Sequence, residues 1–255
     1  MADTDGRFVW YELLTSDTSG AKKFYPAVTG WGTQPFGSDG SYEMWTNKGS
    51  PMGGMMNISE EQKKRGIPPH WLPYIGVSNV DDTTARAGKL GAKTLVPPTD
   101  IPDVGRFSVI ADPQGAVFGI VSSNNPMKAD FSPEVGEFSW HELTTDDHVA
   151  AFDFYSKLFG WTKTSEFDMG AMGIYQMYGK NNETYGGMFN KTPEMKMPPV
   201  WVCYVRVNDV NAAADAIKKG GGQVINGPME VPGGDWIAQA TDPQGAFFAV
   251  HQKKA

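Results

Sequence analysis

The apolar and polar positions of this chain alternate, then wind, then alternate again, and the pattern is laid down twice. Residues 7–15 and 137–145 alternate with the two-residue period of a strand. Each leads into hydroxyl and acidic residues suited to a helix N-terminus, Thr15-Ser16-Asp17 and Thr144-Thr145-Asp146. Beyond the second of these, Val149, Phe152, Tyr155, Leu158 and Phe159 predict one apolar helical face. Gly30 and Gly160 are placed to stop these helices. Short strands are expected over 42–46 and 51–58, and again over 174–178 and 185–189.

The plan then restarts. Segments 71–77 and 201–207 predict strands, and 80–90 and 210–219 predict helices, ended by Gly91 and by Gly220-Gly221-Gly222. Strands follow near 107–111 and 237–240. Asp112-Pro113-Gln114-Gly115 and its twin at Asp242 read as turns before last strands over 117–121 and 247–251. Each half of the chain therefore predicts two β-α-β-β-β units.

The halves are copies. Trp10, Glu12 and Leu13 recur 130 positions later as Trp140, Glu142 and Leu143, and Phe24-Tyr25 with Gly30-Trp31 recur as Phe154-Tyr155 with Gly160-Trp161. The offset slips to 133 between Tyr42 and Tyr175 and between Gly53-Gly54-Met55 and Gly186-Gly187-Met188, then returns to 130. Loops absorb such changes. The period is too long for a solenoid and implies two homologous domains, 7–122 and 137–252, joined by a linker over 123–136.

Composition narrows the class. A net charge of −7 argues against a nucleic-acid or anionic-membrane partner, which would require a basic face. The single cysteine, Cys203, rules out an intrachain disulfide and predicts a reducing, cytoplasmic setting. Met1 to Arg7 contains no apolar run of a secretory signal. No stretch approaches the roughly 20 apolar residues of a membrane span. A monomer or homodimer is expected.

The chain resembles the vicinal oxygen chelate superfamily of glyoxalases, bleomycin-resistance proteins and extradiol dioxygenases. The resemblance rests on Phe24-Tyr25 with Gly30-Trp31, on Phe154-Tyr155 with Leu158-Phe159-Gly160-Trp161, and on the two Asp-Pro-Gln-Gly turns, in matching order and duplicated. It implies an α+β fold of two tandem glyoxalase-like domains, each two paired β-α-β-β-β units curled around a cavity. It also implies metal ligands at set strand positions, which here hold Trp10, Leu72, Gly119, Trp140, Val202 and Ala249. None of these supplies the N, O or S donor that a divalent ion needs, so no metal or other cofactor is expected.

If Trp10 and Trp140 face inward, alternation carries Glu12 and Glu142 inward with them. An inward glutamate needs a partner or a raised pKa, and so reads either as a structural hydrogen bond or as a ligand anchor or base. By the same alternation Tyr74 faces inward in the first copy, and Tyr204 and Arg206 do so in the second. There His251 also replaces Val121. His251 itself reads as a solvated rim residue unless Glu142, Tyr204, Arg206 and His251 gather around one cavity. The function expected is metal-independent binding of a small organic molecule, with Trp10, Trp140, Tyr74 and Tyr204 as walls and Glu12 and Glu142 as anchors. The alternative is a glyoxalase-like lyase or isomerase, or an oxygenase, acting on a carbonyl or aromatic substrate. There Glu142 is the general base, and Arg206 or Tyr204 stabilises the oxyanion.

Overall fold

A computed structural model of the protein describes residues 4–37, 42–125 and 132–254. In the first copy the order is β1 (Phe8–Thr15), α1 (Thr18–Thr29), β2 (Gly32–Phe36), β3 (Tyr42–Asn47), β4 (Ser50–Asn57), α2 (Glu60–Lys64), β5 (His70–Gly76), α3 (Val80–Lys89), β6 (Lys93–Ile101), β7 (Gly105–Ala111) and β8 (Val117–Ser123). The second copy repeats it as β9 (Phe138–Thr145), α4 (His148–Phe159), β10 (Thr162–Asp168), β11 (Ile174–Lys180), β12 (Glu183–Asn190), β13 (Val200–Arg206), α5 (Val210–Lys219), β14 (Gln223–Glu230), β15 (Trp236–Thr241) and β16 (Phe247–Gln252). A single 3-10 turn at Gly170–Met172 precedes β11. Among the described residues no helix is long and apolar enough to cross a membrane.

Each copy forms one eight-stranded mixed sheet, in the orders β2-β3-β4-β1-β5-β8-β7-β6 and β10-β11-β12-β9-β13-β16-β15-β14. β1 with β4, β5 with β8, β9 with β12 and β13 with β16 pair in parallel, and the hairpins β2-β3-β4, β6-β7-β8, β10-β11-β12 and β14-β15-β16 pair antiparallel. The fold is α+β with two tandem β-α-β-β-β units per copy, as the repeat predicts.

The four edge strands β2, β6, β10 and β14 leave no alternating pattern to read. Every residue of β2 and β10 is exposed, and β6 and β14 are mostly exposed. Neither face is covered, so no two-residue period is selected. Pro35, Pro97, Pro98 and Pro228 lie in these strands, as prolines do at sheet edges. The short helix α2 also lacks an apolar face, and a capping box between Ser59 and Gln62 starts it.

The helix termini follow the sequence, except that the cap of α4 is Asp147, one residue beyond the Thr144-Thr145-Asp146 run read for it. Asp17 and Asp147 cap α1 and α4 by accepting first-turn N–H groups, and Gly30 and Gly160 end them at φ of 78° and 74°. The apolar face of α4 is shifted from the one expected. Ala151, Phe154, Tyr155, Leu158 and Phe159 are buried, Phe152 is half-buried, and Val149 is 62% exposed. Tyr155 in the core fixes the helix rotation, and Val149 then falls about 120° around the helix from it.

The chain condenses into two compact units, and these are not the two copies. One comprises 1–9, 73–131 and 141–201, and the other 10–72, 132–140 and 202–255. The hydrogen-bonded sheets follow the repeat, but each compact unit takes one half of each copy. Of the linker read over 123–136, Ser123 closes β8 and Gly136 donates its N–H to the Arg206 carbonyl at 2.7 Å. Positions 126–131 of that linker, and positions 1–3 of the segment read for a secretory signal, lie outside the described residues.

Within each unit, aromatic groups join the two copies. In the unit of residues 10–72, Tyr11 stacks on Phe138 at 3.7 Å, Trp31 Nε1 donates to the Gly136 carbonyl at 2.6 Å, and Phe24 meets Phe248 edge-on. In the unit of residues 141–201, Phe8 stacks on His141 at 3.9 Å, Trp161 Nε1 donates to the Gly6 carbonyl at 2.7 Å, and Phe118 meets Phe154 and Tyr155. The abundant Trp, Tyr and Phe therefore serve first as the seams between copies.

Candidate functional site

The side of the first sheet that carries Tyr11, Gly53 and Trp45 in one register row packs on α1, where the Tyr25 ring meets Trp45 at 5.4 Å. Alternation sends Trp10, Glu12, Gly54 and Tyr42 to the opposite side. There the Trp10 indole N–H donates to the Tyr42 hydroxyl at 3.1 Å, and Tyr42 is in turn hydrogen-bonded with Glu12. Burial first, and then the Glu12 charge, push the Tyr42 phenol far above its ordinary range, so it stays protonated as a donor.

The second copy repeats the pair. The Tyr175 hydroxyl donates to Glu142 Oε2 at 2.9 Å, and Glu142 is only 7% exposed. A glycine makes room for each ring. A Cβ on Gly54 would stand 2.0 Å from the Tyr42 oxygen, and one on Gly187 would stand 2.0 Å from the Tyr175 ring. The Gly-Gly-Met repeats are thus the seats of two tyrosines. The sequence aligns Tyr42 with Tyr175 but does not join them to Glu12 and Glu142. The shared offset of 133 for tyrosine and glycine pair was the available signal.

The second units of the two copies differ. In the first copy the Tyr74 ring lies over Gly119, where a Cβ would stand 2.2 Å away, and meets Phe107 at 6.3 Å. In the second copy Ala249 stands in register with Tyr204, so a ring cannot take that pose. Gln239 Nε2 donates to the Tyr204 hydroxyl at 2.7 Å instead. Arg206 donates to the Pro133 carbonyl at 2.5 Å. His251 is not the solvated rim residue expected. Its Nδ1 lies 2.8 Å from the Ser139 hydroxyl and its Nε2 lies 2.9 Å from Asp235 Oδ2, with only 14% of the side chain exposed. Ser139, Gln239 and Asp235 left no trace in the repeat, because the first copy holds Val9, Val109 and Gly105 there.

Trp10, Glu12, Tyr204, Arg206 and His251 fall in one compact unit, with Trp140 at the end of one of its segments. Glu142 and Tyr74 fall in the other. The four polar residues grouped by copy in the sequence are therefore divided between units.

The positions at which the resemblance implies metal ligands hold Trp10, Leu72, Gly119, Trp140, Val202 and Ala249. The Tyr74 ring lies across one of them, Gly119. Among the described residues no group of three or more His, Cys, Asp or Glu side chains is placed to hold a metal ion. Cys203 is buried, and burial pushes its thiol well up, which leaves it a core residue with a protonated sulfur.

Comparison with known proteins agrees with this fold. The profile of the Glyoxalase/Bleomycin resistance protein/Dioxygenase superfamily matches residues 7–120 and again 137–250. CFP32 of Mycobacterium tuberculosis (strain CDC 1551 / Oshkosh), provisionally named a glyoxylase, is 35% identical over 244 residues, covering 94% of this chain and 92% of its own. The anthracycline biosynthesis protein DnrV of Streptomyces peucetius is 27% identical over 259 residues, covering 96% and 92%. The Mn(II)-bound glyoxalase from Novosphingobium aromaticivorans superposes with a TM-score of 0.65 at 17% identity, over 98% of this chain and 82% of that one. An extradiol ring-cleaving dioxygenase from B. fuscum gives 0.69 at 11% identity, over 98% and 72%. At such identities the two structures speak for the fold alone. The chain belongs to the Glyoxalase/Bleomycin resistance protein/Dioxygenase superfamily, in its tandem two-copy form.

Proposed function

We propose that the protein binds a small organic molecule without a metal ion, in the manner of the binding members of its superfamily, and does so in the cytoplasm. The observation that carries this reading is the duplicated glutamate–tyrosine pair, Glu12 with Tyr42 and Glu142 with Tyr175, on the sheet side away from the helices. Each pair offers a carboxylate acceptor and a phenol donor; in the first pair burial holds the phenol protonated and Trp10 donates to it. That set suits a flat molecule bearing hydroxyl or carbonyl groups. The relative DnrV, named for anthracycline biosynthesis, makes a hydroxyanthraquinone a reasonable first probe. Absence of metal is supported by the chemistry of the residues at the ligand positions, which lack donor atoms and in one case lie beneath a tyrosine ring.

The test pairs elemental analysis of the purified protein with thermal shift. Added Mn, Ni, Zn or Fe(II) is expected to leave the melting temperature unchanged, whereas a dihydroxyanthraquinone raises it in the wild type and less so in Glu12→Gln. Stoichiometric metal in the protein, or stabilisation by a metal, overturns the reading.

A second reading is favoured by the burial of Glu142, since a desolvated carboxylate is a stronger base. On this reading the protein is a lyase, isomerase or oxygenase-related enzyme with Glu142 taking a proton from a carbonyl or aromatic substrate. Tyr175 is then the hydrogen-bond partner of the base, a residue the sequence does not assign; Arg206 or Tyr204 is read there as the oxyanion's partner. Turnover lost in Glu142→Gln with the fold intact supports it, and turnover unaffected by that change removes it.

A further inference from the structure

The side chains of Ser139, His251 and Asp235 form a hydrogen-bonded chain that neither the fold nor the glutamate–tyrosine pairs require. The Ser139 hydroxyl lies 2.8 Å from His251 Nδ1, and His251 Nε2 lies 2.9 Å from Asp235 Oδ2. All three residues are half-buried, so solvent reaches them. Asp235 also accepts the backbone N–H of Lys254 at 2.8 Å. Burial works against its charge, but the bonds to Lys254 and His251 outweigh it and hold the carboxyl below its usual range. An ionised Asp235 accepts the Nε2 proton and fixes the tautomer. Nδ1 is left as the acceptor, with the Ser139 hydroxyl as its donor. The same hydroxyl lies 3.3 Å from the Tyr204 carbonyl, a longer contact than the one to the imidazole.

The internal duplication supplies a control. At the positions of Ser139, His251 and Asp235 the first copy has Val9, Val121 and Gly105, and it folds to the same strand order. A polar triplet that the architecture does without in one copy is not there to hold the sheet together. Partly burying three polar groups also costs desolvation that Val9, Val121 and Gly105 avoid in the first copy.

We propose that Ser139, His251 and Asp235 form a nucleophilic site for acyl transfer from small esters, built from residues other than the glutamate–tyrosine pairs. Ser139 Oγ attacks the ester carbonyl carbon as its proton passes to His251 Nδ1. The bond to the leaving alcohol breaks and the alkoxide takes that proton. Water then cleaves the acyl-serine by the reverse sequence, with His251 as base, and releases the acid. Asp235 is a positioning residue, acting through the imidazole. The ring nitrogens are exchanged relative to the familiar serine-hydrolase template. The chemistry requires only that one nitrogen be a fixed donor to a carboxylate and the other face the hydroxyl. Arg206, the register partner of His251, supplies a fixed positive charge on the same face for the oxyanion.

The test treats the whole protein with diisopropyl fluorophosphate, in which serine displaces fluoride, and reads the intact mass and the labelled peptide. One phosphoryl group on Ser139 is expected. It should be lost in Ser139→Ala and in His251→Val, a residue the first copy already accommodates. Asp235→Asn should slow labelling by at least ~10²-fold while leaving the melting temperature near that of the wild type. No adduct on folded wild-type protein overturns the proposal. So does an adduct that persists in Ser139→Ala, or a rate unmoved by Asp235→Asn.

Discussion

The Tyr25 hydroxyl donates a 3.0 Å hydrogen bond to Asp242, a residue 217 positions further along the chain, and Tyr155 makes the same bond to Asp112 at 3.0 Å. In each case the indole of Trp71 or Trp201 donates to the tyrosine oxygen, and the other carboxylate oxygen gathers the N–H groups of its own turn. The Asp-Pro-Gln-Gly run is therefore more than a turn. Its aspartate fastens a helix of one copy to the last hairpin of the other. Removing the hydroxyl leaves a buried carboxylate short of a donor, which costs about 2 kcal/mol. Tyr25→Phe and Tyr155→Phe should each lower unfolding free energy by that amount in urea titrations. Because the two bonds lie in different compact units, the double variant should lose close to the sum.

The tyrosines over Gly54 and Gly187 give a second prediction. A methyl group at either position collides with the phenol that partners the glutamate. Gly54→Ala should displace Tyr42 from Glu12, cost about 1–3 kcal/mol in stability, and weaken binding of the hydroxyanthraquinone probe. Thermal melting and titration calorimetry on the same preparation separate the two effects. Tyr42→Phe, which removes the hydroxyl but keeps the ring, should lower affinity with a smaller loss of stability.

His141 predicts a pH dependence. Burial drives its imidazole down from 6.5 to about 4, only partly offset by the bond to the Tyr185 carbonyl at 3.0 Å. A depressed folded pKa means that the unfolded chain takes up the proton first. The contribution is present above pH 6.5 and is lost as pH falls towards about 4. A shift of that size corresponds to about 3 kcal/mol. His141→Tyr copies the first copy, where Tyr11 stacks on Phe138, and should remove this component. The measurement is the difference in melting temperature between wild type and variant across that pH range, and a constant difference rejects the assignment. Asp112 and Asp242 act with the opposite sign. Burial raises their carboxyls, so their contribution grows as pH falls through the raised values, and the comparison with His141→Tyr cancels it.

The two copies also predict unequal ligand selectivity. Tyr204 carries Gln239 as a hydrogen-bond partner, while Tyr74 lies on Gly119 beside Phe107. Gln239→Val, which writes the first copy's residue into the second, should weaken a ligand with several oxygen groups by about 1–2 kcal/mol. It should leave an unsubstituted aromatic ligand unaffected, as titration calorimetry with both would show.

Much of this was legible in the chain alone. Duplication fixed the number of copies, alternation fixed most strands, and capping residues such as Asp17 and Gly30 fixed the helix ends, because these are local constraints on the backbone. The inward glutamates could be named because alternation is strict within a strand. The edge strands β2 and β10 could not, since exposure on both faces leaves no period.

The amino-acid sequence by itself determined the superfamily and the tandem plan. Only the tertiary structure decided which halves share a compact unit, that Tyr42 and Tyr175 complete the glutamates, and that Ser139, His251 and Asp235 meet. The division has a physical cause. Strand and helix patterns are written by neighbours along the chain, whereas partners 112 or 217 positions apart, such as Ser139 with His251 or Tyr25 with Asp242, are chosen only when distant faces pack.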